Sequence, residues 1–361
     1  MNKLHYALAI YLSCHGIAYT QENPDQKPLV DIFNIAKITA LLQDDNLNPI
    51  KNVNLHIRFS HSNGAYNDGS NDFYLTTDAD GQATAESEST GAIFIIAEKT
   101  GYYPSELQYQ PTDWSKKPEN KSKLLPWNPT VPITLKKIGK GAPMYARGAP
   151  RRSVYLPSQD LAHGYDLIED DWLAPHGNGK VADLMIQAHM DVIDEKNYDS
   201  EMSITFPNKG NGWIPLHELV GIESQMKYPR EAPEDGYLAD PITLKHRWRN
   251  PYIEELPEGG HPYGYILRLR TKLDKDGKIL SAIYAKIIDN DLHPPVDTRR
   301  LTNPIHFGSG PKLMKEKGRE SGCYFKIFYY LNPKPNDRNL EFDRINNLAP
   351  EAERPPTEYA P

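Results

Sequence analysis

Between Phe33 and Lys137 the chain alternates short apolar runs with turn residues: IAKITALL, VNLHIRFS, DFYLTT, QATAES, AIFIIAEK and VPITLKKI. In VNLHIRFS, Val53, Leu55, Ile57 and Phe59 fall on one parity, while Asn54, His56, Arg58 and Ser60 fall on the other. A period of two puts the first set on a buried face and the second on a wet one, which predicts a strand. Several such strands, with no amphipathic helical pattern among them, predict an antiparallel β-sandwich over residues 33–138. Strand patterns return beyond residue 157. VADLMIQA and SEMSITF flank a polar connection, GYILRLRTKL and KILSAIYAKII flank Asp274 to Gly277, and CYFKIFYYL follows late. In the last of these Cys323, Phe325, Ile327, Tyr329 and Leu331 share a parity, which places Cys323 in a core. The expected fold class is all-β, with the N-terminal sandwich followed by a second β-rich, sandwich-like domain over 158–348.

Segment 139–157 is rich in Gly, Pro and Ala and carries Lys140, Arg147, Arg151 and Arg152. It is read as the interdomain linker, its charge pairing with the acidic run Ile168 to Asp171. Residues 349–361 hold prolines and charges with little to bury, and are expected to be a disordered tail.

The corner Asp78-Ala79-Asp80-Gly81 has the look of a calcium loop. An EF-hand loop with Gly81 at its sixth position needs an oxygen ligand first and a bidentate glutamate twelfth, where this chain has Thr76 and Ser87. Asp274 to Gly277 fails alike, with Lys272 first and Ile283 twelfth. Asp-Gly between alternating runs predicts a hairpin turn instead, because Gly takes positive φ cheaply.

At the N-terminus, Lys3, the apolar stretch Ala7 to Leu12 and small residues near Ala18 read as a secretory signal peptide over 1–20, followed by a mobile leader over 21–32. The stretch is too short to span a bilayer, and no later segment is apolar enough to do so. Cys14 after Ser13 offers an alternative lipidation site that would tether the exported chain to a membrane. The chain has two cysteines, so with Cys14 removed or acylated, Cys323 has no disulfide partner and stability must come from cores. With 41 basic and 48 acidic residues, a net charge of −7 and no basic stripe, nucleic acid is not an expected partner.

The order KITALLQDDNLNPIKNVNLHIRF, TTDADGQATAES, IIAEKTGYYPSE and VPITLKKI resembles the carboxypeptidase regulatory-like domain, a transthyretin-like β-sandwich, over residues 33–137. The resemblance implies a structural or interaction module without catalytic machinery. APMYAR, YDLIEDDWLAPHGNGKVADLMI, YILRLRTKLDKDGKILSAIYAKI and YYLNPKPNDRNLEFD resemble the C-terminal part of a group of exported bacterial proteins, which implies an architecture and no activity.

No phosphate loop, His-Glu-x-x-His helix, cysteine pair or nucleophile elbow is present, and no cofactor is expected. Asp170, Asp171, His176, Asp183, His189 and Asp191 are candidate metal or proton-transfer groups, set against loop and strand roles. A transthyretin-like sandwich with Tyr102, Tyr103, His163, Tyr165 and His176 is similar to the intradiol dioxygenases, whose iron takes two His and two Tyr, but their His-x-His pair is missing. Asn336 to Asp343 reads as a corner stapled by Arg338, with Leu340 and Phe342 docking on the core. The expected ligand-binding surface is HRWRNPYIEELPEGGHPYGY. Trp248, Tyr252, Tyr263 and Tyr265 offer ring faces there, and Arg247, Arg249 and His261 offer hydrogen bonds that suit sugar or extended peptide. The expected function is an exported, periplasmic or extracellular module that binds polysaccharide or a cell-surface protein. The alternative is a hydrolase, lyase or metal-dependent oxygenase with its site in the second domain.

Overall fold

The computed structural model describes residues 34–62, 68–114, 123–148, 153–248, 261–289 and 303–354. The expected signal peptide, Cys14 and the leader lie outside the described residues, as do Arg151, Arg152, Arg249, Tyr252 and the tail from residue 355.

The first sandwich is built from β1 (Asn34–Gln43), β2 (Asn54–Ser62), β3 (Asp68–Thr76), β4 (Gln82–Ser89), β5 (Ile93–Glu98), β6 (Ser105–Tyr109), β7 (Asp113–Trp114), β8 (Leu124–Leu125) and β9 (Thr130–Thr134). A three-stranded sheet in the order β4-β1-β9 and a four-stranded sheet in the order β3-β2-β5-β6 enclose one core. The parity of β2 fixes which residues enter it: Leu55, Ile57 and Phe59 are buried with Ile38, Leu42, Ile93, Ile95 and Ile133.

The Asp-Gly corner at Gly81 corrects one expectation. The turn forms as expected, with Gly81 at φ +72° and the Asp78 carboxylate accepting the N–H groups of Asp80 (3.0 Å) and Gln82 (2.8 Å). However, β3 and β4 belong to different sheets, so the corner is an arch between layers and not a hairpin. Buried Thr77 anchors the crossing, accepting from Val53 N–H at 3.0 Å and donating to the Ile50 carbonyl at 2.8 Å. Asp274-Lys275-Asp276-Gly277 repeats the same turn chemistry between paired antiparallel strands, a true hairpin.

The second half comprises β10 (Ala142–Arg147), β11 (Val154–Tyr155), β12 (His163–Asp166), β13 (Asp171–Trp172), β14 (Leu184–Asp194), β15 (Asn197–Thr205), β16 (Gly212–Leu216), β17 (Ile242–Trp248), β18 (Gly264–Leu273), β19 (Ile279–Ile288), β20 (His306–Ser309), β21 (Cys323–Lys326), β22 (Phe328–Asn332) and β23 (Phe342–Asn347). A five-stranded sheet, β13-β12-β14-β15-β17, packs on a six-stranded sheet, β16-β18-β19-β22-β10-β23. The short sheet β11-β21-β20 contributes Cys323 and Phe325 to the same core. The far face of the six-stranded sheet is also covered, by Tyr228, Ala232 and their neighbours, so residues of both parities are buried over Gly264–Leu267 of β18 and Ala282–Ile288 of β19. Among the described residues the only helical pieces are 3-10 turns at Leu313–Lys315 and Glu351–Glu353.

Within the segment expected to be a linker, Ala142–Arg147 is a strand with Met144 and Ala146 fully buried, paired with β22 and β23. Arg147 meets the acidic run as expected, donating to the Ile168 carbonyl at 2.5 Å and lying 3.8 Å from Asp170, with Glu353 as a further partner. In the expected tail, Ala349 is buried.

The two sandwiches belong to one compact unit and meet through polar contacts. Tyr103 donates to Glu341 at 2.7 Å, Thr134 N–H to Glu223 at 2.5 Å, and Gln225 N–H to the Pro104 carbonyl at 2.9 Å. Arg230 pairs with the same Glu341, which is buried, so one carboxylate holds groups from both halves.

Candidate functional site

The aromatic-rich segment is divided by the fold. Trp248 ends β17 at the margin of the five-stranded sheet, and the residue is 39% exposed. It stacks on Tyr198 of the neighbouring β15, with centroids 6.4 Å apart and planes 10° from parallel. Tyr265, expected as a second open ring, is corrected: it is 3% exposed and packs edge-on against Trp213 in the main core. The cause is parity, since Tyr265, Leu267 and Leu269 alternate into the sandwich. Tyr263 is half-buried on the far face of the same sheet, so it is likewise no partner of Trp248. His261 lies beside Asn303, with Nδ1 3.3 Å from its amide nitrogen, and Asn303 also accepts from the Tyr265 hydroxyl at 3.1 Å.

Trp248 finds other companions. On the inner face of the same sheet margin, His246 Nδ1 lies 2.8 Å from Ser309 Oγ, and Ser309 Oγ lies 2.6 Å from Ser200 Oγ. Ser200 donates to the His246 carbonyl at 3.1 Å, and the Tyr198 hydroxyl donates to the Ser309 carbonyl at 2.9 Å. The Ser200 hydroxyl has the His246 carbonyl as an acceptor, either serine can donate across the Ser200–Ser309 contact, and the direction of the chain follows the His246 tautomer. The cluster is a clasp that joins β20 to β15 and β17 and steadies the strand end carrying Trp248.

The outer face of the same sheet is a polar groove of about 460 Å³ that includes Gln187, His189, Asp191, Glu201, Lys245 and Arg247. Register sets its charges in rows: Asp191 opposite Asp199 opposite Arg247, and His189 opposite Glu201 opposite Lys245. Arg247, one of the expected ligand-binding residues, lies 3.4 Å from Asp199, and Lys245 lies 3.4 Å from Glu201. His189 sits between Asp191 (3.0 Å) and Asp160 (2.6 Å), whose carboxylates push its pKa up. The groove is thus lined by donors and acceptors of both signs, which suits hydroxyl-rich or peptide-like ligands better than a highly charged polymer.

The remaining candidates have structural partners. Asp183 is fully buried and takes a bidentate bond from Arg270, both contacts at 2.8 Å, and Arg270 also donates to Asp166 at 2.8 Å. Arg270 reaches them from a register shift in β18 at φ +51°. Asp166 accepts the N–H groups of Ile168, Lys180 and Val181, and Asp171 accepts that of Asn178 at 2.8 Å, so the loop between β12 and β14 is wound on carboxylates. Asp170 accepts from the Tyr165 and Tyr329 hydroxyls at 2.8 and 3.2 Å. His163 and His176 rings meet at 4.8 Å, but Tyr165 is committed to Asp170 and Tyr103 to Glu341. No group of three His, Cys, Asp or Glu suited to a metal occurs among the described residues. Arg338 is the expected corner staple, donating to the Ala232 carbonyl at 3.0 Å, with Leu340 fully buried beneath it.

No family model matches this sequence, and no curated protein matches it. Among solved structures it is similar to a mutant catechol 1,2-dioxygenase of Acinetobacter radioresistens, at 11% identity over 31% of this chain and 54% of that one, with a TM-score of 0.25. It is also similar to the major pilin BcpA of Bacillus cereus, at 10% identity over 83% of this chain and 85% of that one, TM-score 0.20. The major pilin SpaD of Corynebacterium diphtheriae is 8% identical over 85% and 84% of the two chains, TM-score 0.22. The chain spans little more than half the length of the dioxygenase, and likenesses this low carry no argument about ligand or activity.

Proposed function

We propose that the protein is an exported, non-catalytic β module that binds polysaccharide, or a protein of the cell surface, in the periplasm or outside the cell. The N-terminal sandwich would be a carboxypeptidase regulatory-like module serving as a structural unit. The observation that carries the reading is the part-exposed ring of Trp248, stacked on Tyr198 and steadied by the His246-Ser309-Ser200 clasp on the inner face of the sheet margin. A flat apolar ring held in a fixed orientation is a surface on which a sugar ring can stack.

The test is a screen of the purified chain on immobilised polysaccharides and cell-envelope proteins, with product analysis of every bound glycan. Retention with the glycan recovered at its original length is expected. Shortened or oxidised products would overturn the non-catalytic reading in favour of the enzyme alternative.

A further inference from the structure

The outer face of the four-stranded sheet in the first sandwich carries rings where a solvated sheet ordinarily carries short polar groups. Register places two rows across it: Tyr74, His56, Ile96 and Glu106, then Asp72, Arg58, Phe94 and Gln108. Tyr74 is 78% exposed and Phe94 is 36% exposed, although the parity of their strands would place polar residues there at no cost to the core. The Tyr74 ring lies flat on the His56 imidazole, centroids 4.6 Å apart and planes 9° from parallel, so its opposite face is open.

The stack is fixed from beneath. His56 Nε2 lies 2.5 Å from Asp72 Oδ1, Arg58 Nε donates to the same oxygen at 2.9 Å, and Ser70 donates to Oδ2 at 2.7 Å. These donors hold the Asp72 carboxyl far below the usual carboxylate range, with Ser70 the leading cause. The ring pair therefore enters an encounter already oriented, which lowers the ordering cost of binding. Strand spacing and rise place Tyr74 and Phe94 about 12 Å apart at their backbones, too far for one sugar ring to reach both. Around Phe94, over β2, β5 and β6, lies a notch of about 150 Å³ lined by His56, Arg58, Phe94, Glu106 and Gln108, with hydrogen-bonding ends for hydroxyls. The charges cancel locally, Arg58 against Asp72, and Lys227 stands near Glu106, so the face has no excess positive charge to select an acidic chain.

We infer that this sheet face, centred on Tyr74, His56 and Phe94, is a second carbohydrate site, separate from Trp248, that takes a neutral oligosaccharide. The reading does not depend on the Trp248 platform, since the two sites lie on different sandwiches.

Calorimetric titration of the full chain with cellohexaose, xylohexaose and maltohexaose, and with oligogalacturonate as the anionic comparison, tests it in four proteins: wild type, Tyr74→Ala, Tyr74→Phe and Trp248→Ala. Loss of one open stacking ring is expected to weaken binding of a neutral probe about tenfold in Tyr74→Ala, while Tyr74→Phe, which keeps the ring, stays near wild type. Binding that survives Trp248→Ala and falls with Tyr74→Ala supports this site even if the Trp248 platform fails. No neutral probe bound by the wild type, equal binding by wild type and Tyr74→Ala, or a preference for the oligogalacturonate would overturn it. So would a Tyr74→Ala change confined to oligomeric state in sedimentation, which would mark the face as a contact between copies.

Discussion

The two Asp-Gly corners use the same local chemistry in different surroundings, so alanine at each separates backbone strain from tertiary fit. Gly277 has φ +81° and nothing within 4 Å of where a Cβ would sit. Gly277→Ala therefore incurs only the left-handed backbone cost of an L-residue, about 1 kcal/mol. Gly81 has φ +72°, and a Cβ there would lie 2.6 Å from the Leu42 carbonyl oxygen, 3.0 Å from Ile50 N and 3.0 Å from Pro49 Cβ. Two of these atoms are backbone and cannot swing aside. Relief must stretch the bonds from Leu42 N–H to the Gly81 carbonyl and from Ile50 N–H to the Leu42 carbonyl, both 2.8 Å. At about 1 kcal/mol net for each hydrogen bond, added to the same backbone cost, Gly81→Ala should lose about 3 kcal/mol. Urea denaturation followed by far-ultraviolet circular dichroism measures both, reading the midpoint at constant slope. Equal losses, or a larger loss at Gly277, would refute the claim that the first corner is an arch pinned against β1.

Arg270→Ala should destabilise by about 3–5 kcal/mol in the same assay, because it strands the buried Asp183 carboxylate; a loss below about 1 kcal/mol would show that the bidentate pair does not hold in solution. Cys323 is fully buried, with burial pushing its thiol up to about 12, so a disulfide reagent should modify it only as the chain unfolds; rapid labelling without denaturant would contradict the placement of β21. His189 has its pKa raised by Asp191 and Asp160, so its contribution to stability is fully present below about pH 6.5 and is lost as pH rises through the higher folded value. The wild type should accordingly lose melting temperature relative to His189→Gln as pH is taken from 6 to 9, and a constant difference would deny the charge pairing.

Period-two alternation made the strands and the all-β class legible, because parity within a strand needs no tertiary information. The destination of a strand does need it. Asp78 to Gly81 specifies a tight turn, yet nothing local says whether Gln82 returns beside β3 or crosses to β1; the buried hydroxyl of Thr77 and the close approach to Leu42 decide that. The candidate site divides on the same line. Trp248 sits where the inward parity of Ile242 and Leu244 runs out at a sheet margin, so its exposure follows from strand length. Tyr265 lies mid-sheet on an inward parity and had to be core. Tyr198, Ser200 and Ser309 join Trp248 only through pairing at long range, which composition does not encode. The outward direction of Phe94 was not legible, because Ile93-Phe94-Ile95-Ile96 is apolar on both parities and only the pairing of β5 with β2 decides which face is buried.

The account rests most directly on Trp248 as a part-exposed platform that contributes to binding and little to folding. Affinity electrophoresis of the wild type and Trp248→Ala in gels containing the polysaccharide retained in the screen, with urea midpoints taken on the same preparations, tests both halves at once. The account predicts about tenfold weaker retardation for Trp248→Ala with stability within about 1 kcal/mol of wild type. Unchanged retardation, or a stability loss of about 3–5 kcal/mol as expected for emptying a core position, would contradict it.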